Sequence, residues 1–227
     1  MRRAAAVAAC VAVVLSSGCG GGGDVAARTV RFSTDDGVEL EGDVRGGGTT
    51  GVALAHMYPT DRTSWEPFAE RLAAEGYLTL AFDFRGYGGS EGERTIPEIW
   101  RDVVAAAGEL RSHGAERVVL VGASMGGTAS LVAASRSAVD GVVTISAPST
   151  FEGLTASPDV VRAVQAPKLF VAASADGAAA AAAQSFYNDS PQPKRVEIVG
   201  GDEHGTELLE GSHGEVVRNV ILDFLRV

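Results

Sequence analysis

Short, strongly apolar stretches of about five residues recur along the chain. Most lack the polar–apolar alternation of a half-exposed strand, so we expect strands that are buried on both faces of a sheet. These stretches are residues 51–55, 77–82, 117–121, 141–145, 168–172 and 195–199. Their recurrence predicts one sheet that is built from many short segments.

Longer stretches with apolar residues at helical spacing lie between the predicted strands. In the first of them, Ser64 can cap a helix whose inner face carries Trp65, Phe68 and Leu72. The predicted helices are residues 64–74, 95–110, 125–135, 178–187 and 214–225. Because strands and helices alternate, the pattern predicts an α/β fold with a mostly parallel sheet and helices on both faces.

The first strands differ from this pattern. Thr29–Ser33 and Val38–Val44 alternate in polarity around an Asp35-Asp36-Gly37 turn, which predicts an N-terminal β-hairpin. About 22 residues separate Ile145 from Lys168, so we expect a minimal lid or none. The folded domain is predicted to span residues 28–227.

The start of the chain has the composition of an export signal. Two arginines precede an apolar run over residues 4–15, which is too short to span a bilayer as a helix of about 20 residues. Residues 15–19 resemble the lipobox of bacterial lipoproteins. We therefore expect a signal peptide over residues 1–18, a lipidated Cys19, a glycine-rich tether over residues 19–27, and a location on the outer face of a membrane. The alternatives are cleavage followed by free secretion and retention of the apolar run as an anchor. Val7-Ala8-Ala9-Cys10 is a second, looser lipobox match, but it leaves almost no apolar run before it.

Charge and cysteine content exclude several functions. The net charge of −10 repels nucleic-acid phosphates, so nucleic acid is not an expected partner. Both cysteines, Cys10 and Cys19, precede the predicted domain. The domain is therefore expected to contain no disulfide, no thiol nucleophile and no cysteine-based zinc site.

A candidate nucleophile follows the strand at 117–121. Gly122-Ala123-Ser124-Met125-Gly126 has the G-x-S-x-G spacing between a strand and a helix. Glycines are needed there because side chains beside a sharp strand-to-helix turn would collide with the neighbouring elements. The pattern predicts that Ser124 projects above the sheet at a helix N-terminus, where backbone N–H groups stabilise negative charge.

With this motif, residues 30–227 resemble the α/β-hydrolase superfamily, most closely small lidless members near the dienelactone hydrolases and acyl esterases. His56-Met57-Tyr58-Pro59 is similar to the segment that follows the family's third strand, although Met57 stands where the family usually has glycine. Asp83–Gly92 is similar to the loop after the family's next strand. The resemblance implies a serine nucleophile, an acid and a histidine, in that order along the chain.

The family's order implies that the base follows the last strand, at 195–199. His204 meets this requirement, and His213 is a rival at the start of the last helix. His56 belongs to a segment in which the family uses histidine structurally. His113 lies in a predicted surface turn.

The same order implies that the acid follows the strand at 168–172. Asp176 is the carboxylate there, and it would orient the imidazole and stabilise its charged form. A helix-capping role for Asp176 is the structural alternative. Asp202 is a second candidate acid, although it lies very near His204 in sequence. Asp83 and Arg85 are expected to brace the loop beside the site.

The resemblance also implies two backbone donors for an oxyanion hole. One is the N–H of Met125, and the other is the N–H of Tyr58 or, less favoured, of Met57. Packing beneath the loop is the alternative role for residues 57 and 58.

These features together predict a serine hydrolase that cleaves small carboxylic esters of short or medium acyl length through an acyl-enzyme. A peptidase or amidase with the same triad and a non-catalytic binding protein are the alternatives. No cofactor is expected, and no metal, because Asp202, Glu203 and His204 lack a second group of ligands. The sequence leaves the oligomeric state open.

Overall fold

The computed structural model of the protein describes residues 26–226. The predicted signal peptide, Cys19 and the first part of the predicted tether lie outside these residues. Within residues 26–226, no helix is both long enough and apolar enough to cross a membrane.

Ten strands and six α-helices make up the described chain. The strands are β1 (Arg28–Ser33), β2 (Glu39–Gly46), β3 (Thr50–Ala55), β4 (Leu78–Phe82), β5 (Arg117–Ala123), β6 (Gly141–Ile145), β7 (Thr150–Phe151), β8 (Leu154–Thr155), β9 (Lys168–Ala173) and β10 (Lys194–Val199). The helices are α1 (Glu66–Ala74), α2 (Trp100–Ser112), α3 (Met125–Ala134), α4 (Pro158–Ala163), α5 (Gly177–Asp189) and α6 (Gly214–Leu225). Short 3₁₀ helices cover Arg62–Trp65, Ile96–Glu98 and Gly205–Leu209.

Eight strands form one sheet in the order β1-β2-β4-β3-β5-β6-β9-β10. The strands from β4 to β10 in this order are parallel, and β1 and β2 form the predicted antiparallel hairpin beside them. The predicted α/β fold with a mostly parallel sheet and an N-terminal hairpin is confirmed. The parallel strands all end at the same edge of the sheet, which we call the carboxyl edge. The loops that leave this edge carry the candidate site.

Apolar side chains on the two faces of the sheet form separate cores. Alternate residues of β5 face opposite ways: Leu120 packs with α2 and α3, whereas Val121 packs with α1 and α6. Trp65 and Phe68, predicted for the inner face of the first helix, are buried in the second of these cores. Helices on both faces, as predicted, therefore hold the sheet rigid beneath the carboxyl edge.

Two helices begin differently from the prediction. The cap of the first helical segment is Asp61, whose side chain accepts a hydrogen bond from the Thr63 N–H and starts a 3₁₀ turn. Ser64 lies inside that turn instead of capping the helix. The helix predicted over 95–110 is divided into a 3₁₀ turn and α2, because the N–H groups of Glu98 and Ile99 bond three residues back, to Thr95 and Ile96.

The segment between β6 and β9 contains two small elements that the sequence pattern did not predict. Strands β7 and β8 form a two-stranded hairpin, and α4 follows it. In the described chain this segment contains no larger cap, which agrees with the expected minimal lid.

Candidate active site

The turn between β5 and α3 holds Ser124 in a strained conformation. Its backbone has φ 47° and ψ −116°, a conformation that residues other than glycine rarely adopt. A Cβ on Gly122 would lie 2.3 Å from the carbonyl oxygen of Gly126, and one on Gly126 would lie 2.3 Å from that of Ala55. The glycines on both sides of the nucleophile are therefore sterically required.

His204 lies in the loop that follows β10, and its ring reaches the serine. Its Nε2 is 2.8 Å from the Oγ of Ser124. The loop is held from behind by Glu203, whose carboxylate accepts hydrogen bonds from the N–H and hydroxyl of Ser212. Gly211 packs so closely against that carboxylate that a Cβ would lie 2.4 Å from it. The loop therefore has a defined shape.

Asp176 completes the set from the loop after β9. Its Oδ2 is 2.7 Å from Nδ1 of His204. Although Asp176 lies at the N-cap position of α5, its side chain makes no capping hydrogen bond. The carboxylate is directed to the imidazole instead, so the capping alternative does not describe this side chain.

The structure thus brings Ser124, His204 and Asp176 into one hydrogen-bonded chain at the carboxyl edge. The rival residues lie elsewhere in the loops: His213 is bonded to Ser212 through Nδ1, and Asp202 is exposed. Ser124 is nearly buried, whereas the side chain of His204 is 42% exposed and that of Asp176 is 16% exposed. One side of the imidazole therefore faces solvent, and the carboxylate lies deeper.

Met125 is the first residue of α3, so its N–H has no acceptor within the helix. This N–H adjoins Ser124 at the positive end of the helix dipole. The contact of Gly126 with the end of β3 places the start of α3 against the segment that contains Met57 and Tyr58.

The peptide unit between Met57 and Tyr58 is held by its carbonyl. The Met57 oxygen accepts hydrogen bonds from the Thr60 N–H at 3.0 Å and the Thr60 hydroxyl at 2.9 Å, and lies 2.9 Å from His56 Nδ1. In a planar trans unit the carbonyl and the N–H point in opposite directions. The Tyr58 N–H is therefore directed away from the turn and is available as a donor.

Met57 itself packs in the core. Its side chain is buried, and its sulfur lies so close to Gly205 that a Cβ there would be 2.4 Å away. The Thr206 hydroxyl also lies 3.8 Å from this sulfur. Met57 stands where the family usually has glycine. Its side chain therefore supports the loop of His204 from below.

His56 is fully buried and has a structural environment. Its Nε2 accepts a hydrogen bond from the Phe84 N–H at 3.2 Å, so the ring is neutral and Nδ1 donates to Met57. Burial lowers the pKa of His56 below its usual value, which keeps this tautomer. The fourth histidine, His113, lies beside Glu109 and Arg28, near the start of β1.

Buried ion pairs brace the loop after β4. Asp83 accepts hydrogen bonds from the N–H groups of Arg62 and Gly89, each at 2.8 Å, and is paired with the Arg62 guanidinium. Arg85 is paired with Asp102 at 2.7 Å and with Asp36 at 2.7 Å. The expected bracing by Asp83 and Arg85 is present. Sequence reasoning missed Arg62 and Asp102, because nothing in their local pattern separates them from surface charges.

A cavity of about 570 Å³ lies at the opposite edge of the sheet. Its lining includes Arg117, Lys168 and Phe224 and none of the three residues of the hydrogen-bonded chain. The carboxyl edge, where the nucleophile, imidazole and carboxylate converge, is therefore the candidate active site.

Parts of this chain are similar in sequence to known proteins. Residues 47–204 match the family described as alpha/beta hydrolase fold. The quorum-quenching protein AidA of Acinetobacter baumannii is 38% identical over 84 residues, and the match covers 34% of this chain and 28% of AidA. Epoxide hydrolase A of Mycobacterium tuberculosis is 43% identical over 77 residues, covering 33% of this chain and 24% of that enzyme. The aligned part is thus about a quarter of the length of these relatives.

Solved structures resemble the whole domain. An esterase of Pyrococcus furiosus superimposes with a TM-score of 0.79 at 21% identity, covering 89% of this chain and 91% of the esterase. A dienelactone hydrolase of Anabaena variabilis gives a TM-score of 0.74 at 23% identity, covering 88% and 96%. At such identities the likeness concerns the fold alone. Together with the family match over residues 47–204, it shows that this chain belongs to the alpha/beta hydrolase family.

Proposed function

We propose that the protein is a serine hydrolase that cleaves carboxylic esters through an acyl-enzyme. The observation that supports this most strongly is the continuous chain of two hydrogen bonds from Ser124 through His204 to Asp176. A hydroxyl, an imidazole and a carboxylate in this order form an activated nucleophile.

In the proposed mechanism, Ser124 Oγ attacks the ester carbonyl carbon and its proton passes to His204 Nε2. The N–H groups of Met125 and Tyr58 stabilise the negative oxygen that forms. When the intermediate collapses, the imidazolium returns the proton to the leaving alcohol, and the acyl group stays on Ser124. Water then attacks this ester with His204 as the base, which releases the acid and restores the hydroxyl.

Epoxide opening, the activity in the name of one relative, fits these residues poorly. Attack of Ser124 on an epoxide carbon would form an ether. An ether has no carbonyl for water to attack, so the enzyme would stop after one turnover. A serine nucleophile therefore favours acyl transfer.

The open surroundings of the site favour small esters. The segment between β6 and β9 supplies only a short hairpin and α4 beside the site, and His204 is partly exposed. We propose soluble esters of short or medium acyl length as substrates, because little apolar surface is available to cover a long chain.

Fluorophosphonate labelling and ester hydrolysis test the proposal. The purified protein should label covalently and hydrolyse p-nitrophenyl acetate, and Ser124→Ala should lose both activities. Ser190→Ala is a matched control, because Ser190 is also a buried serine but lies at the end of α5. Loss of labelling in both variants, or its retention in Ser124→Ala, would contradict the proposal. Peptide anilides in the same panel separate ester from amide cleavage.

We also propose that the protein is exported and anchored to the outer face of a membrane through lipid on Cys19. The apolar run and the lipobox-like residues 15–19 support this proposal. The full chain expressed in a bacterium should partition with membranes, and Cys19→Ser should release it. A Cys10→Ser variant serves as the control and should remain in the membrane fraction.

A further inference from the structure

Two aromatic rings stand beside the candidate active site and contact each other. The ring centroids of Tyr58 and Phe151 are 5.7 Å apart, with an angle of 46° between the planes. Tyr58 is 47% exposed, although large apolar side chains of this domain are mostly buried. We call this pair the aromatic wall. The free energy falls when another apolar group covers an exposed aromatic surface of this kind.

Tyr58 adjoins the reacting groups through the backbone. It follows Met57, whose side chain touches Gly205, the residue after His204. It also supplies the backbone N–H that we propose for the oxyanion hole. A carbonyl oxygen held by that N–H would lie within a few ångströms of the Tyr58 Cβ.

Phe151 reaches Tyr58 from the small hairpin between β6 and α4. The turn of the hairpin is Glu152-Gly153, with φ values of 42° and 89°, as expected for a tight turn that matches the twist of the strands. Phe151 pairs with Leu154 across the hairpin, and Leu154 is buried in the core below. Phe151 is therefore held in place while part of its surface remains exposed.

A third ring, that of Tyr87, packs against His56 and Met125. Tyr87 is buried, and its ring lies 5.0 Å from the ring of His56. Its hydroxyl lies 3.9 Å from the sulfur of Met125, the residue after Ser124. Burial, with smaller contributions from nearby groups that include Glu152 and Tyr58, raises the pKa of Tyr87. Tyr87 therefore joins the segment of His56, which precedes Met57 and Tyr58, to the start of α3.

We infer that the aromatic wall binds the apolar substituent next to the scissile carbonyl, so that the preferred substrates are uncharged esters with an aromatic or branched apolar group. This inference rests on the proposed function. The exposed Glu152 at the hairpin tip disfavours an anionic substituent beside Phe151, whereas the Arg94 guanidinium lies over the Tyr87 ring, 4.3 Å from its centroid. Aromatic rings suit this role because they offer a large contact area with few rotatable bonds.

The test compares pairs of esters that differ in one apolar group. On the acyl side the pair is p-nitrophenyl benzoate and p-nitrophenyl acetate, and on the alcohol side it is benzyl acetate and methyl acetate. The measured quantity is the ratio of kcat/KM within each pair relative to the unaltered protein, which cancels the intrinsic reactivity of the esters. Phe151→Ala should lower this ratio about three- to tenfold in at least one pair, as expected for one lost aromatic contact.

Tyr58 gives a second, independent variant. Tyr58→Ala should lower the same ratio. Tyr58→Phe should keep the ratio of the unaltered protein, because phenylalanine retains the aromatic ring and lacks only the hydroxyl. Thr150→Ala is the matched control: Thr150 is exposed in the same hairpin, and its hydroxyl lies 3.2 Å from the hydroxyl of Thr155. Its ratio should equal that of the unaltered protein.

The outcomes separate the inference from the function on which it rests. Unchanged ratios in both ester pairs for Phe151→Ala and Tyr58→Ala, in protein that still labels with fluorophosphonate, would overturn the role of the wall alone. Equal losses in Thr150→Ala and Phe151→Ala would overturn it as well, because they would reflect a loosened hairpin. Absence of both labelling and hydrolysis in the unaltered protein would contradict the proposed function.

Discussion

At the scale of single residues, the position of Ser124 depends on the absence of a Cβ atom at the glycines on either side of it. The positive φ of Ser124 stores backbone strain. This strain is tolerated because the start of α3, which follows Ser124 directly, packs against the end of β3. The absence of a Cβ at Gly126 is what permits that approach.

Replacing a glycine with alanine should therefore have opposite effects at two helical positions. Gly126→Ala should destabilise the fold by at least about 2 kcal/mol, because its Cβ would lie 2.3 Å from a backbone oxygen. Gly108→Ala, in α2 with nothing within 4 Å, should stabilise it by about 0.5–1 kcal/mol. Urea unfolding of both variants checks this, and equal effects would refute the steric argument.

The acid should matter to rate much more than to stability. Asp176→Asn preserves the shape of the side chain but favours the wrong tautomer of His204, so kcat should fall about 10³–10⁴-fold. The melting temperature should change little, because the carboxylate caps no backbone group of α5. Asp202→Asn alters an exposed carboxylate two residues before His204 and should keep its kcat. A comparable loss of kcat in both variants would contradict the assignment.

The sequence was most informative where chemistry resides in a local motif. Ser124 is marked by its glycines, and its partners were predicted from their positions after particular strands, as the family resemblance implies. Tyr58 and Phe151 were not predicted as a pair, because 93 positions separate them and the contact exists only once the sheet forms. Long-range contacts of this kind leave no pattern in a single sequence.

At the scale of elements, the loop after β4 is held by charges that the sequence could not pair. Arg85 lies between Asp36 of the N-terminal hairpin and Asp102 of α2. The hydrogen bond from Arg85 holds the pKa of Asp36 well below its usual range. Burial has the opposite effect on Asp102 and raises its pKa from 3.8 to about 6. Arg85 is therefore paired with two carboxylates whose pKa values are shifted in opposite directions, downward for Asp36 and upward for Asp102.

The raised pKa of Asp102 predicts a particular dependence of stability on pH. Because the folded state binds this proton more tightly, its stabilising contribution is present below about pH 4 and is lost as the pH rises through about 6. The loss corresponds to roughly 3 kcal/mol. Asp102→Asn cannot titrate, so its unfolding free energy should fall less than that of the unaltered protein between pH 4 and 7.

Urea unfolding at several pH values measures the difference between the two proteins. Asp159→Asn provides the control, since the side chain of Asp159 is 94% exposed and its removal should leave the pH profile unchanged. Parallel profiles for Asp102→Asn and the unaltered protein would show that Asp102 does not titrate in this range.

Element boundaries show which local signals were sufficient. The strands of the main sheet were predicted to within about two residues, because their apolar runs end sharply at charged or glycine residues. The helix over 95–110 was predicted as continuous, although residues 96–98 form a separate 3₁₀ turn. Strands β7 and β8 contain two residues each, which is too short to show any periodicity.

At the scale of the whole molecule, the described residues contain the complete sheet and the candidate site. A chain that begins at Ala26 should therefore keep the melting temperature and kcat/KM of the full chain for a soluble ester. A chain that begins at Thr34 lacks β1, whose Val30 and Phe32 are buried, and its melting temperature should fall by several degrees. A large loss of activity in the first truncation would show that the preceding residues contribute to the site.

The register of the first hairpin determines which end of the domain the N-terminal residues approach. Arg28 pairs with Val44, and Gly46 pairs with Leu78 at the beginning of β4, so β1 starts at the side of the sheet remote from Ser124. A strand of six residues spans about 20 Å. A protein held to a lipid bilayer by residues that precede β1 would therefore present its nucleophile to the surrounding medium, and it would meet dissolved substrates before those embedded in the bilayer.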